Sequence, residues 1–357
     1  MEPSTDVGVQ LLTPDGYRRE HPDFATDVGP EQLRRMYREM VLTRRVDAEG
    51  TALQRQGELG LWVPSLGQEA AQIGSAHAFT ERDMVFPTYR EHGVALHRGV
   101  TPGQLLTSLR GAWYGGWDPE KTRFGLYTIV LGAQTLHAVG YAMGIQRDGS
   151  SGEAVAAYFG DGASSQGDVS EAMNWAAVFG APVVFCCQNN QWAISVPTSK
   201  QTRTPLFQRA AGFGFPGLRV DGNDVLAVLA VTRWAMERAR AGEGPALIES
   251  FTYRMGAHTT SDDPTRYRSR AEVDAWAGRD PISRVRALLE REELADPEFF
   301  ADVDAEADEV GAQTRAACFA MPLPAPQELF DHVYEDVPPT LRDQRNEFVA
   351  YTESFED

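Results

Sequence analysis

The sequence predicts an α/β fold, a mostly parallel sheet with helices on both faces, extended by an N-terminal arm and a helical C-terminal extension. Three observations carry this. Residues 154–159 and 183–187 are short, continuously apolar runs, the pattern of strands buried on both faces. Between them Val169, Met173, Ala176 and Val178 recur at helical spacing, so strand, helix and strand follow one another as in a parallel sheet. The chain has 357 residues, 42% of them hydrophobic, enough for a sizeable core and unlike a disordered segment.

Residues 1–29 are polar, punctuated by Pro3, Pro14, Pro22, Gly8, Gly16 and Gly29. They carry no sustained period and read as an arm laid over something else, with a partner that composition does not name. A helix begins at Pro30, because proline at the first helical position with Glu31 beside it suits an N-terminus, and Leu33, Met36, Tyr37, Met40 and Val41 continue it. Residues 59–66 form an apolar loop, a second helix covers about 68–79, and Thr101-Pro102-Gly103 caps a third that ends near Gly111. All three are placed before the sheet. Further strands are expected at 218–220 and 246–250, joined by a helix from 225 to about 239 that Asn223 or Asp224 can cap. After Arg254 the chain is loop-like to Tyr267, and beyond 271 helices return. The acidic stretch between Glu290 and Glu309 reads as a solvated face. The division is an arm over 1–29, an α/β domain over 30–290 and an acidic helical extension over 291–357.

Lys+Arg 33 against Asp+Glu 51 gives a net charge of −18, which argues against nucleic acid and against anionic membrane surfaces as partners. The most apolar stretch, 175–187, is interrupted by Gly180 and Pro182 and is too short to cross a bilayer. The first 17 residues contain Glu2, Asp6 and Asp15 and no Lys or Arg, so neither a secretory signal nor a transit peptide is expected and the chain is placed in the cytoplasm. Cys186, Cys187 and Cys318 form no C-x-x-C pair, which excludes a disulfide framework and a structural zinc site.

Two polar points stand where the apolar strands stop. Gly160-Asp161-Gly162 follows the first and Asn189-Asn190 closes the second. A right-handed crossover sets consecutive parallel strands side by side or nearly so, with their carboxyl ends at one sheet edge, where ligands of open α/β sheets bind. Asp161 and Asn190 should therefore be neighbours. One carboxylate and one amide oxygen suit Mg²⁺, which takes its remaining ligands from phosphate and water, so a diphosphate is the natural guest. The flanking glycines permit the tight turn and a close approach of phosphate to backbone. A dinucleotide site is the rival, but residues 160–165 lack the third glycine of G-x-G-x-x-G, and the next strand ends in Gln188-Asn189-Asn190 without a ribose-binding acid.

The segment from Gly160 to Asn190 resembles the thiamine-diphosphate fingerprint. From about residue 30 onward the chain resembles the alpha subunit of the bacterial two-subunit 2-oxo acid dehydrogenases, the branched-chain and pyruvate types among them. Four blocks in family order support this: Phe86-Pro-Thr-Tyr-Arg-Glu91, Gln188-Asn-Asn-Gln-Trp-Ala-Ile-Ser195, Arg219-Val-Asp-Gly-Asn-Asp224 and Tyr253-Arg-Met-Gly-Ala-His-Thr-Thr-Ser-Asp-Asp263. The resemblance implies the thiamine-diphosphate-binding fold, with Asp161, Asn190 and the main-chain carbonyl of Trp192 holding Mg²⁺. It implies that Tyr89, Arg90 and His258 contact the cofactor diphosphate, for which Arg90 offers a planar fork of donors. Thr88, Ile129, Gly160, Gly162, Ala163, Ala193 and Ile194 complete the implied cofactor site, with Leu131 as the apolar prop for the bent cofactor. His258 and Arg254 are the implied catalytic residues, Leu61 and Trp62 the implied wall of the substrate pocket, and the Thr/Ser-rich loop around His258 is expected to close over the site. Ala133 replaces a hydroxyl residue common in branched-chain relatives, which argues against a monovalent cation near Gln134. Gly115-Gly-Trp-Asp118 stands in place of the family's G-R-Q-M-P-x-H block, so roles assigned to that block do not transfer.

By resemblance the reaction is decarboxylation of a 2-oxo acid and transfer of its acyl group to a lipoyl group. A beta subunit supplies the activating carboxylate, two alpha and two beta subunits form a heterotetramer, and this docks on a lipoyl-bearing acyltransferase core. The chain alone should be inactive. Residues 261–269 and 333–342 look more like the branched-chain subgroup, and a bulky lining at Leu61 and Trp62 favours a branched side chain, although one methylene discriminates by only ~1–3 kcal/mol. Pyruvate or acetoin dehydrogenation is the alternative. A nicotinamide-binding oxidoreductase and a cofactor-free scaffold are the alternatives from other classes. Thr259 stands where mitochondrial relatives are phosphorylated, and nothing in the sequence implies a kinase.

Overall fold

The computed structural model describes residues 8–113 and 115–355. Residues 1–7 of the expected arm, Tyr114, and residues 356–357 of the expected extension lie outside the described residues. Among the described residues five strands form a parallel sheet: β1 (Met84–Phe86), β2 (Val155–Gly160), β3 (Val183–Asn189), β4 (Gly217–Asp221) and β5 (Ala246–Phe251). Their spatial order is β1-β2-β3-β5-β4. The apolar runs at 154–159 and 183–187 are the central pair, β2 and β3, in parallel register from Val155 opposite Val183 to Gly160 opposite Gln188.

Side-chain alternation divides the core into two layers. Val155, Ala157 and Phe159 of β2 and Val183, Phe185 and Cys187 of β3 face one layer, while Ala156, Tyr158, Val184 and Cys186 face the other. The second layer is covered by α1 (Pro30–Arg55), α2 (Glu69–Ala76) and α5 (Val225–Arg240), the first by α3 (Ala133–Arg147) and α4 (Gly167–Phe179). Strands covered on both faces have no polar side to show, which is why they read as continuous apolar runs. Asp224 is the cap of α5, its Oδ1 accepting the backbone N–H of Leu226 and Ala227 at 3.0 Å each. The expected third helix is present at Pro102–Arg110 with a capping box at Thr101 and Gly111 in the left-handed conformation at its end.

Three expectations are revised. Not every early element precedes the sheet as a helix, because Met84–Phe86 is the edge strand β1, pairing with Val155–Ala157. Its three residues are too few to display a period. The arm's partner is the chain's own sheet: Val9 bridges Val220, with Val9 N–H donating to Arg219 O at 2.9 Å and Asp221 N–H donating to Val9 O at 3.0 Å. This covers the exposed edge of β4. The acidic stretch is only partly a solvated face. From Pro297 on it lies on α7 (Pro297–Ala320), which follows α6 (Pro281–Arg291) and packs along α1 through Phe300 and Val303, while Glu306 pairs with Arg38 and Asp308 with Arg45 at 3.5 Å. No helix among the described residues is long and apolar enough to cross a membrane.

Asp224 does two jobs at once, because its Oδ2 also accepts the N–H of Leu11 at 2.7 Å and of Leu12 at 2.5 Å from the arm. Asp224→Ala should therefore cost about 2–3 kcal/mol, the loss of a cap plus two stranded N–H groups. Urea unfolding at constant m-value measures this, and a loss under about 0.5 kcal/mol would show that the arm is not anchored there.

Candidate active site

The register that sets Gly160 opposite Gln188 carries both strands to the same sheet edge. Just beyond that edge a cavity of about 170 Å³ is lined by Asp161 and Asn190, by Arg90 and His258, and by Gln68, Leu131 and neighbouring residues. The two polar points expected to meet do meet. The Asp161 carboxylate is buried, and its Oδ2 accepts from Thr198 Oγ1 at 2.8 Å and Gln201 Nε2 at 3.2 Å. Burial nevertheless holds its carboxyl above the usual carboxylate range. Asn190 Oδ1 accepts from Trp192 N–H at 3.3 Å and its Nδ2 donates to Gln68 Oε1 at 3.1 Å.

The opposite end of the cavity is cationic. Arg90 is buried, donates to Pro64 O, and places Nη2 3.2 Å from His258 Nδ1 and 3.1 Å from His258 O. Arg254 Nη1 lies 3.3 Å from the same Nδ1. With two guanidinium donors facing Nδ1, that nitrogen accepts and the ring proton sits on Nε2. Burial first, then the charges of Arg90 and Arg254, push the His258 pKa down to about 3. Burial also lowers the Arg90 pKa. Desolvated cations without a full counter-charge favour an anion.

The residues fit a metal-bound diphosphate on three observations of this chain. Asp161 is a buried carboxylate whose charged form burial disfavours, as a metal ligand without its metal would be. Gln68 Nε2, on the cavity wall, is buried without a protein partner. A Cβ added at Gly160 would meet nothing within 4 Å, so glycine leaves backbone open to the cavity.

The chain matches the family described as dehydrogenase E1 component over residues 37–320. It belongs to that family. It is 49% identical over 343 residues, 96% of this chain and 93% of the relative, to the 3-methyl-2-oxobutanoate dehydrogenase subunit alpha of two Mycobacterium tuberculosis strains. It is 39% identical over 349 residues, 94% of this chain and 91% of the relative, to the pyruvate dehydrogenase E1 component subunit alpha of Staphylococcus aureus. The chain is thus the alpha subunit of a 2-oxo acid dehydrogenase E1 component, an oxidoreductase.

In this E1 alpha chain most of the residues singled out from the sequence share the cavity wall: Thr88, Tyr89, Arg90, Leu131, Gly160, Asp161, Gly162, Ala163, Asn190, Trp192, Ala193, Ile194 and His258. Four others are not among its lining. Ile129 is on the surface, 66% exposed, and Leu61 is half-buried in the neighbouring loop. Trp62 turns inward, packed with Leu53, Leu59, Leu106 and Cys318, stacked on His92 at 4.6 Å and donating Nε1 to Asp47 at 2.8 Å. Arg254 is fully buried behind the wall, donating to Trp192 O at 3.0 Å and Ile194 O at 2.7 Å. Its geometry is that of a residue that positions the hairpin Trp192–Pro197 and His258.

Sequence reasoning did not single out Gln68, Glu91 and Gln188 as site residues, though all line the cavity. Glu91 accepts from Thr88 N–H at 2.6 Å and Thr88 Oγ1 at 2.7 Å, and from Gln188 Nε2. Glu91 and Gln188 lie inside the quoted blocks, so the signal was present. Gln68 lies in a stretch that carried no motif.

The depressed pKa of His258 has a consequence for stability. Its ordinary value is 6.5 and its folded value about 3, so the folded state resists protonation. The stability contributed by neutral His258 is complete above about pH 6.5 and is lost as pH falls toward about 3. The ligand-free chain should lose stability from about pH 7 to about pH 5, and His258→Gln should lose less over the same interval. Equal slopes in urea midpoints against pH would contradict the neutral imidazole.

Proposed function

We propose that this chain acts, with thiamine diphosphate and Mg²⁺, as the alpha subunit that decarboxylates branched-chain 2-oxo acids and passes the acyl group to a lipoyl group. The observation that carries the reading is one cavity with a buried carboxylate and amide at one end and, at the other, the guanidinium of Arg90 beside the neutral imidazole of His258, which Arg254 engages from behind the wall. A diphosphate bridged by a divalent cation complements both ends. Asp161, Asn190 and the Trp192 carbonyl would hold the ion, and that carbonyl keeps a lone pair free beside its bond from Arg254. Tyr89, Arg90 and His258 would hold the phosphates, and Leu131 would offer apolar surface to the rest of the cofactor. When bound, thiamine diphosphate supplies the electron sink for decarboxylation and acyl transfer.

The chain's own residues then position and desolvate. Arg254 fixes the hairpin carbonyls and orients His258, whose Nδ1 is engaged, leaving Nε2–H as the ring's donor. His258 is the residue to steer the acyl group and handle a proton during transfer. The cavity's carboxyls are both committed, Asp161 to Thr198 and Gln201 and Glu91 to Thr88 and Gln188. That supports a partner beta subunit as the source of an activating carboxylate. The rim points the same way, since Ile129 and Val130 are 66% and 69% exposed apolar residues that a partner would cover. An assembly of two alpha and two beta subunits on a lipoyl-bearing acyltransferase core, in the cytoplasm, completes the proposal. The name of the Mycobacterium tuberculosis relative, at the higher identity, favours 3-methyl-2-oxobutanoate over pyruvate.

Asp161→Ala should weaken Mg²⁺-dependent thiamine diphosphate binding more than ~100-fold with the circular dichroism unchanged, as read by calorimetric titration. Unchanged affinity, or a chain that binds NADH and not thiamine diphosphate, would overturn the site. Co-purified with its beta partner, the chain should turn over 3-methyl-2-oxobutanoate with a higher kcat/KM than pyruvate in a substrate panel; the reverse ranking moves it to the pyruvate class.

A further inference from the structure

Away from the cavity, one cluster among the described residues gathers ligand atoms at metal spacing: Glu39, His77 and His97. Glu39 comes from the middle of α1, His77 is the C-cap of α2, and His97 is the last residue of the short helix His92–His97. His77 Nε2 and His97 Nδ1 lie 2.8 and 3.0 Å from the same carboxylate oxygen, Glu39 Oε2, and all three ligand atoms are within 4.8 Å of one another. Their side chains are only 6%, 14% and 16% exposed for His77, Glu39 and His97. We propose that Glu39, His77 and His97 form a binding site for a transition-metal dication, Zn²⁺ in the first instance, separate from the catalytic cavity.

The chemistry of the set supports this. Two imidazoles and one carboxylate select zinc-like ions over Mg²⁺ and Ca²⁺, which prefer all-oxygen shells. Zinc bonds of about 2.0–2.1 Å at tetrahedral angles separate ligand atoms by about 3.4 Å, so the ring nitrogens need to retreat by roughly half an ångström. Three protein ligands leave a fourth position. A cavity of about 370 Å³, lined in part by Glu39 and His97, lies beside the cluster to admit water there. For the two imidazoles to ligate, the protons that His77 Nε2 and His97 Nδ1 now direct at Glu39 Oε2 would move to the other ring nitrogens, leaving lone pairs for the ion.

Two further features favour a cation. Two helix C-termini converge on it through His77 and His97, presenting carbonyl ends of the dipoles. Arg35 Nε donates to Glu39 Oε1 at 2.8 Å, orienting the carboxylate through the oxygen the metal does not need. With its side chain 61% exposed, Arg35 has its charge largely screened by water. The sparse cysteines excluded a structural zinc site on sequence grounds; this set needs none of them. Bound metal would clasp α1, α2 and the helix that follows Arg90. Because Gln72 of α2 donates to Arg90 O at 3.0 Å, it would brace the phosphate-facing loop from behind.

The test is equilibrium dialysis of the chelator-treated full chain against ZnCl₂, with metal counted by atomic emission, and against CoCl₂, with visible absorption reporting the ligand set. One zinc per chain is expected, with cobalt bands of a tetrahedral nitrogen and oxygen site. His77→Ala and His97→Ala should each weaken zinc binding ~100-fold or more, and His97→Gln gives the same reading should an alanine variant fail to fold. Asp161→Ala should leave zinc binding intact. Substoichiometric zinc, binding that survives the histidine substitutions, or binding lost in Asp161→Ala would each overturn the proposal.

Discussion

The parallel pairing of β2 with β3 constrains everything built at the sheet edge. Because Gly160 is level with Gln188, the turn beginning at Asp161 and the segment beginning at Asn190 leave the sheet together. A slip of one residue would turn every side chain of one strand to the opposite core layer, so the two apolar layers lock the register that the site requires. Packing then tightens the turn against the hairpin: a Cβ at Gly162 would sit 2.6 Å from Ala193 Cβ. Only glycine there lets the hairpin approach the turn this closely. The hairpin is strained, with Gln191 at φ 71° and Ile194 at φ 55°, conformations a β-branched residue rarely adopts. Arg254, through its bonds to Trp192 O and Ile194 O, is the group that over-determines this backbone.

The same burial that stabilises the sheet leaves charge unbalanced at its edge. Asp161 on one side and Arg90 on the other are buried, and burial biases each toward its neutral form. A purely structural pair would place these groups in contact; here they face across a cavity and each is tied to neutral partners instead. Desolvated charges held apart in this way are a recurrent mark of functional sites. They couple ligand binding to stability, since a ligand carrying both signs relieves both ends.

How much of this the sequence disclosed follows from the range of each signal. The strands buried on both faces, the helix between them and a cap at Asn223 or Asp224 were legible because hydrophobic period and capping chemistry are local, and the structure selects Asp224. So were Asp161 and Asn190, since a polar residue at the end of an apolar strand is conspicuous. The edge strand Met84–Phe86 was not, being too short, and the arm's partner was not, because a bridge from Val9 to Val220 spans most of the chain and leaves no trace in composition. Gln68 escaped because a buried glutamine serving a cavity has no pattern of its own. The cluster of Glu39, His77 and His97 was invisible for the same reason, its members being far apart in sequence and joined only by the packing of three helices.

Trp62 shows most clearly how residue type misleads when direction is unknown. A large apolar side chain in a loop near the site suggests a wall that reads substrate size. Yet the indole is held from behind, by Asp47 through Nε1 and by stacking on His92, and a Cβ at Gly50 would strike its ring at 2.4 Å. Asp47 also accepts Ser65 N–H at 3.1 Å, so one buried carboxyl, its pKa raised by burial to about 7, fixes both ends of the loop. That loop in turn presents Pro64 O to Arg90 and Trp62 O to Thr260 N–H. Its task is to hold Arg90 and the loop bearing His258 in one frame. On the proposed function, selection among 2-oxo acids would fall to the groups that do face the cavity, such as Leu131 and Ile194, and to whatever surface covers the exposed apolar rim. A pocket wall shared in this way needs only ~1–3 kcal/mol of differential contact to separate side chains that differ by a methylene.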